Sequence, residues 1–442
     1  MRWILVTSGA VLVGSLAGCE AAGIKLDTAT AGNDSGDDTS VDTGDSDTAE
    51  SDTIVDTSVE TGEDTGEETG DSVPVYTPDW TVDCNGAGDH TTIQAAIEAA
   101  HSGDDIEVMP CVYHERLDYL GKTLNVYGAE GSAHTTIDGG YEGTVVNVES
   151  GEGEGTRLAG FRIQGGYDAS AGSAVEVGGS VLALDDVVLS GNGVGMWVLQ
   201  ATGGWVDAID VVIGWNEVQP KGGAIYTDGG TFVGERLTVD CGAGVYGIYA
   251  HVPLILADSE ITCAAGSGIY NYHGEMDLRR IVVTGGQYGV YSPDEEDSPT
   301  ERVRIYNSAI GSDTVGAYFF WQTVEVYNSV LWGAQSAMEI VNLGSGSQLK
   351  NSVLLNSACG ISGDKTRFSV SYTDFWNNTS DLCNVTASTP LRVDPMFTAF
   401  PGDLSLLRGS GLVDAGDPAA AWEDLDGSRN DVGVYGGPAG SP

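Results

Sequence analysis

The sequence predicts an all-β solenoid: a single chain wound into coils of about 22–26 residues, whose short strands pair in parallel with those of the next coil. Three observations lead there. Glycine is in excess, 64 of 442 residues against 8% aromatic content, which favours many tight turns over long helices. A phrase of one apolar residue, two turn residues and an apolar-polar-apolar strand recurs along the chain, as in LDDVVL, LADSEI, LRRIVV, VYNSVL and LKNSVL. Six cysteines fall into sequential pairs whose separations of 27, 22 and 24 residues match the period of that phrase. A formal charge of −47 opposes any electrostatic grip on nucleic acid or on an anionic membrane surface, so neither is an expected partner.

Residues 1–19 carry Arg2, an apolar run from Trp3 to Val13, and small residues ending in Leu16-Ala17-Gly18-Cys19. That is the layout of a cleaved secretory signal, with a run too short to cross a bilayer. LAGC resembles the lipobox of bacterial lipoproteins. The resemblance implies that Cys19 receives lipid and becomes the mature N-terminus, the alternative being an ordinary signal with an incidental cysteine. Glu20 follows, not the Asp that retains some lipoproteins in the inner membrane, so the expected destination is the outer membrane, at the cell surface. Contact with membrane is then expected through the lipid alone.

Residues 20–79 form an acidic linker. As far as Asp71 the segment is almost entirely Asp, Glu, Ser, Thr, Gly and Ala, with Lys25 its one basic residue. Such a composition cannot build a core. An ideal chain of this length spans roughly 40 Å, and self-repulsion extends it. It reads as a tether, the alternative being an acidic segment that collects Ca²⁺ or a basic partner.

Residues 80–140 hold an N-terminal cap and the first coils. TIQAAIEAA reads as a short amphipathic helix with Ile93 and Ile97 on one face, placed to cover the open end of the first coil.

Residues 141–390 are the central coils. Anchored on the last apolar position of the phrase, the rungs align at Ile163, Leu189, Ile213, Val239, Ile261, Val283, Ile310, Leu331 and Leu354. Three residues before most anchors stands Asp or Asn: Asp186, Asp210, Asp258, Asn307, Asn328 and Asn351. A sharp corner between strands places one residue in the left-handed region, where these side chains are tolerated. Stacked on successive coils, their amides are also candidates for ladders. The cysteine pairs Cys84–Cys111, Cys241–Cys263 and Cys359–Cys383 would each sit on neighbouring rungs, close enough for disulfides. Metal ligation is the weaker alternative, since no C-x₂-C spacing occurs.

Residues 391–442 form a closing segment, and with them a family resemblance becomes specific. TTIQAAIEAAHSGDDIEV, then Tyr113-His114-Glu115, then GKTLNVYGAEGSAHTTIDG, together with VDPMF, SGLVDAGDP and DLDGSRNDVGVYGG near the end, resemble the right-handed parallel β-helix, or pectin-lyase-like, superfamily. The resemblance covers about 360 residues. It implies a single-stranded right-handed parallel β-helix with a capping helix, and it does not specify an activity.

A second register begins with small residues followed by alternating strands, as in GMWV, AIYT, GIYA, GIYN, GVYS and GAYF. Alternation sends one column outward: Glu176, Trp197, Tyr226, Tyr249, Tyr270, Tyr291, Tyr318 and Glu339. Six aromatics, one per rung, suit the apolar faces of sugars; the plainer reading is that they stack on each other and stabilise adjacent strands. A loop carrying His273, Glu275 and Asp277, with Arg279 beside it and His251 one coil earlier, concentrates groups able to act as general acid and base. Asp424, Asp426 and Asp431 resemble an oxygen-rich Ca²⁺ loop without the full EF-hand pattern.

The motifs of related enzymes are incomplete. The resemblance to pectin methylesterases begins and ends with Cys111-Val112-Tyr113-His114-Glu115. Polygalacturonase-like hydrolases need paired Asp and a G-H-G; Asp185-Asp186 falls at a turn and no G-H-G exists. For a lyase base only Lys221, Arg279 and Arg280 are central, and the acidic body repels polyuronates unless cations intervene. The leading expectation is a surface-anchored, monomeric β-helix that contacts polysaccharide or envelope glycan without catalysis. The alternative is a polysaccharide lyase or glycoside hydrolase. No organic cofactor is implied, and Ca²⁺ is the one candidate ion.

Overall fold

The structure is a computed structural model that describes residues 77–168, 172–193, 195–293, 301–364 and 368–440. Cys19 and the tether up to residue 76 lie outside the described residues. Among the described residues, thirty-one strands pair in parallel into a solenoid of about thirteen turns, and the helical content is nearly confined to one short helix.

Each coil turns at a corner set by backbone geometry. Asp186, Asp210, Asp258, Asn307, Asn328 and Asn351 all adopt φ between 47° and 54°, as the repeat requires. Arg236 and Arg280 occupy the same corner at φ 55° and 51°. Their long side chains reach back one rung, where Arg280 holds Asp258 through two bonds of 2.6 Å and Arg236 holds Asp210 at 2.7 and 2.9 Å.

The expected ladder of corner amides is not formed. Asn307 and Asn328 donate instead to the C-terminal segment: Asn307 Nδ2 to the carbonyls of Val434 and Gly436, and Asn328 Nδ2 to Asn430 Oδ1. The ladder lies one residue further on, where the N–H of Ser308 donates to Ser329 Oγ at 3.2 Å and that of Ser329 to Ser352 Oγ at 3.1 Å. A serine hydroxyl at this position accepts from the preceding rung while it donates to a carbonyl of its own, so the corner backbone is satisfied without amides.

After the corner, the anchors meet in register from Ile137 and Ile163 through Leu189, Ile213, Val239, Ile261, Val283, Ile310, Leu331 and Leu354 to Phe375. All are at most 2% exposed and fill the interior. In the coils around Gly172–Leu189, Gly195–Ile213 and Val218–Glu235, neighbouring strands fuse into single long ones that run through corners.

The N-terminal end is covered by the helix Ile93–Ala99, which buries Ile93, Ala96 and Ile97. Its first turn is capped from a distance: both oxygens of Glu115 accept backbone N–H groups, from Ile93 and Gln94, at 2.8 Å each. Burial raises the Glu115 carboxyl. Tyr113 donates its hydroxyl to the carbonyl of Met109 at 2.9 Å. Tyr113 and Glu115 of the Tyr113-His114-Glu115 motif thus serve the N-terminal end of the solenoid.

The C-terminal segment runs along the side of the solenoid. Leu404, Leu412, Val432 and Val434 pack with the outward Ala309, Val330, Val353 and Leu355 of three successive rungs. Lys350 pairs with Asp417 at 2.8 Å, and Asn351 accepts the Asp417 N–H at 2.9 Å. All three cysteine pairs are disulfides between neighbouring rungs, with Cα separations of 6.4, 5.1 and 6.3 Å.

Candidate functional site

One outer face carries the aromatic column. The inward partners are Val175, Leu199, Ile225, Ile248, Ile269, Val290, Ala317 and Met338. One residue further on, the outward column reads Glu176, Gln200, Tyr226, Tyr249, Tyr270, Tyr291, Tyr318, Glu339. Trp197 is not in it. Register shifts on both sides of Trp197 place it opposite Gly172 and Gly223, so its rung contributes Gln200 to the column. The indole, 8% exposed, lies over Gly223 and stacks on Tyr226 at 5.0 Å. Counting two residues from the glycine cannot reveal such a bulge.

The five tyrosines are half-buried and line up along the solenoid, with centroids 5.8, 4.7, 5.1 and 4.9 Å apart from Tyr226 to Tyr318; all these pairs stack except Tyr270–Tyr291, which is tilted at 43°. Tyr246 and Tyr288 brace the stack from one side. Each interior ring therefore spends its faces on neighbouring rings and turns its edge outward, so the row presents a strip of ring edges and phenols. Burial raises the phenols of Tyr226, Tyr249, Tyr270 and Tyr318 above their ordinary range, Tyr226 and Tyr318 to about 12, with Asp228 adding to the effect at Tyr226, so these four stay protonated at neutral pH. Tyr226 donates to Asp228 at 3.2 Å.

His251 stands on the other flank, 5.1 Å from both Tyr249 and Tyr272. Burial lowers its pKa against the attraction of Asp228, and its Nε2 has no hydrogen-bond partner. His273 lies against Tyr272 at 4.3 Å.

The carboxylates expected to work with these imidazoles are drawn into ion pairs. Asp277 and Arg279 project from the strand Met276–Arg279, where Arg279 holds Asp277 through bonds of 2.7 and 2.8 Å. Arg304, from the next rung, lies 3.8 Å from Asp277 and 4.0 Å from Glu275. Within the expected acid–base cluster, His251 and His273 pack against tyrosine rings, and Glu275, Asp277 and Arg279 join a charge network. The lyase-base candidates are likewise engaged, Arg279 by Asp277 and Arg280 by Asp258, while Lys221 is exposed.

Nor do Asp424, Asp426 and Asp431 converge on an ion. Asp424 accepts the Asp431 N–H, Asp426 accepts the Ser428 N–H and hydroxyl, and Asp431 accepts the Asp414 N–H. These carboxylates tie down the closing segment, and among the described residues no group of three His, Cys, Asp or Glu is arranged to hold a metal.

One pair went unnoticed in the sequence. At Glu176, the N-terminal end of the column, burial together with the neighbouring Glu149 and Asp168 lifts the carboxyl to about 7. Glu149 lies one rung before the column and belongs to no motif; only the pairing of Asn147 with Glu176 brings it close.

The rung geometry defines the chain as a parallel β-helix with a tyrosine-lined outer face. No protein-family model and no curated protein matches it. Solved structures similar to it include pectin methylesterase from carrot, at 13% identity over 71% of this chain and 86% of that one, TM-score 0.32. Pectate lyase Pel9A is 11% identical over 78% and 91%, TM-score 0.39. The A-module of mannuronan C-5 epimerase AlgE6 from Azotobacter vinelandii is 15% identical over 69% and 94%, TM-score 0.30. At these values the likeness says nothing of this chain's activity.

Proposed function

We propose that the chain is an exported, lipid-anchored β-helix that binds polysaccharide along its tyrosine face without cleaving it. The observation that carries this reading is the unbroken outward row of five tyrosines, one per rung, with an unpartnered His251 Nε2 beside it. Rungs about 4.8 Å apart approximate the length of a hexose, so a linear glycan laid along the row meets one phenol per sugar. With their faces covered, the rings contribute hydroxyls and edges. The acidic body favours a neutral glycan over a polyuronate.

The test is a glycan-array measurement on the full chain. Tyr249→Ala/Tyr270→Ala is expected to lower binding about tenfold, roughly the loss of two hydrogen bonds. Unchanged binding by the double variant would reduce the row to a structural stack. A second reading, hydrolysis, is favoured by one observation, the Glu149–Glu176 carboxyl pair at the end of the same face. It predicts new reducing ends from the bound glycan and their loss in Glu176→Gln; the appearance of cleavage would replace the binding reading.

Lipid anchoring has its own test. Cys19→Ser is expected to move the chain from the membrane fraction to the soluble fraction of exported protein, and a variant that stays membrane-bound would sink the anchor.

A further inference from the structure

A second aromatic surface lies at another corner of the early coils, and its rings are arranged in the opposite way to the tyrosine row. Backbone N–H groups of Tyr141, Gly165 and Gly191 donate in turn to the carbonyls of Gly165, Gly191 and Trp215, so these four residues form a file across successive rungs. Tyr141 and Trp215, at the two ends, are 60% and 59% exposed. Both hold left-handed backbones, at φ 60° and 54°, which a bulky side chain adopts only at a cost. Neither ring stacks on another aromatic among the described residues.

The glycines explain the geometry. Tyr141 reaches along the file until its hydroxyl donates to the Gly191 carbonyl at 3.3 Å, which lays the ring across two rungs. A Cβ at Gly193 would come within 3.0 Å of Tyr141 Cδ1, so the ring rests on glycine backbone and nothing lifts it. One face packs down and the other is open to solvent. Trp215 extends this apolar surface onto the next rung. Exposure and backbone conformation both count against these two side chains in the folded state, which leaves recognition as what the arrangement provides.

We infer that Tyr141 and Trp215 form a stacking platform for a neutral, β-linked, equatorially substituted hexopyranose chain. Such sugars carry axial C–H bonds and no axial hydroxyls on their ring faces, so a face complements an aromatic surface, while hydroxyls around the rim suit the exposed His114 and the Gln164 side chain on the first rungs. Glu142 and Glu217 flank the platform and are exposed, so an anionic sugar is disfavoured. The inference rests on the reading of the chain as a glycan binder and adds a site that grips sugar faces where the tyrosine row offers edges.

The experiment is titration of the full chain with cellohexaose, chitohexaose and hexagalacturonate, followed by saturation-transfer NMR and calorimetry. Trp215→Asn and Tyr141→Asn place at these corners a residue that accepts the left-handed backbone, so the fold is retained. Each is expected to weaken binding of a neutral hexamer at least about tenfold, while Trp215→Tyr retains it within about threefold. Unchanged affinity in both Asn variants overturns the platform, as does hexagalacturonate binding as tightly as the neutral hexamers, or no binding of a neutral hexamer by the unmodified chain. Self-association abolished by Trp215→Asn, without sugar binding, overturns it in favour of a second copy. Binding lost only in Tyr249→Ala/Tyr270→Ala leaves the tyrosine row standing and removes the platform.

Discussion

Raising the pH from 4 to 8 is expected to cost the folded chain about 4 kcal/mol through a single carboxyl, that of Asp374. Asp374 is fully buried in the last coils, with Oδ1 accepting the Val393 N–H at 2.9 Å and Oδ2 unpartnered. Burial, reinforced by Asp381 and Asp394, lifts its pKa from 3.8 to about 7. The sign follows from which state holds the proton. Below pH 3.8 both states are protonated and nothing is lost. Between 3.8 and 7 the unfolded chain ionises while the folded one keeps its proton, so stability falls as pH rises, and above 7 the loss levels off. Asp374→Asn keeps the acceptor for Val393 and carries no charge. Urea unfolding of the two proteins at pH 4 and pH 8 should show equal stability at the lower pH and a variant more stable by a few kcal/mol at the higher. Parallel pH profiles for the two proteins would dismiss the assignment.

Removing the three disulfides is expected to have the larger effect. Each closes a loop of 22 to 27 residues, and the chain-entropy model gives about 3 kcal/mol for a loop of that size, so together they contribute roughly 10 kcal/mol. That is comparable with the whole stability of an ordinary domain. They lie near the first coil, in the middle and near the last. Full reduction should lower Tm by well over 10 °C, and Cys241→Ala/Cys263→Ala should account for about a third of the loss in ΔG. A reduced protein that melts at the temperature of the oxidised one would mean that the coils hold without staples.

Much of this fold was legible because a solenoid repeats its signals. The anchors from Ile163 to Leu354 and the corners from Asp186 to Asn351 were readable one by one, since each rung imposes the same demands for an inward apolar residue and a left-handed corner. Legibility failed where a residue's neighbour is set by something other than the period. Trp197 left its column because of a local bulge. The corner asparagines gave up an amide ladder because a segment about a hundred residues further along the chain supplies their acceptors. In the acid–base cluster read from residues 251–279, the spacing could not show that Arg304, a rung away, lies beside Glu275 and Asp277. Tyr141 and Trp215 belong to no repeat. Only the file of backbone bonds through Gly165 and Gly191 shows that they share a surface.

The lateral course of the C-terminal segment changes how the molecule comes apart. In a plain stack of coils each rung touches only its neighbours, and unravelling can advance from an end one rung at a time. Here Asn307, Asn328 and Asn351, on three successive rungs, are all tied to residues 417–436. Those rungs are bound into one block that opens whole or not at all, so the final coils behave as a cooperative unit and the weakest seam of the solenoid lies upstream of Asn307.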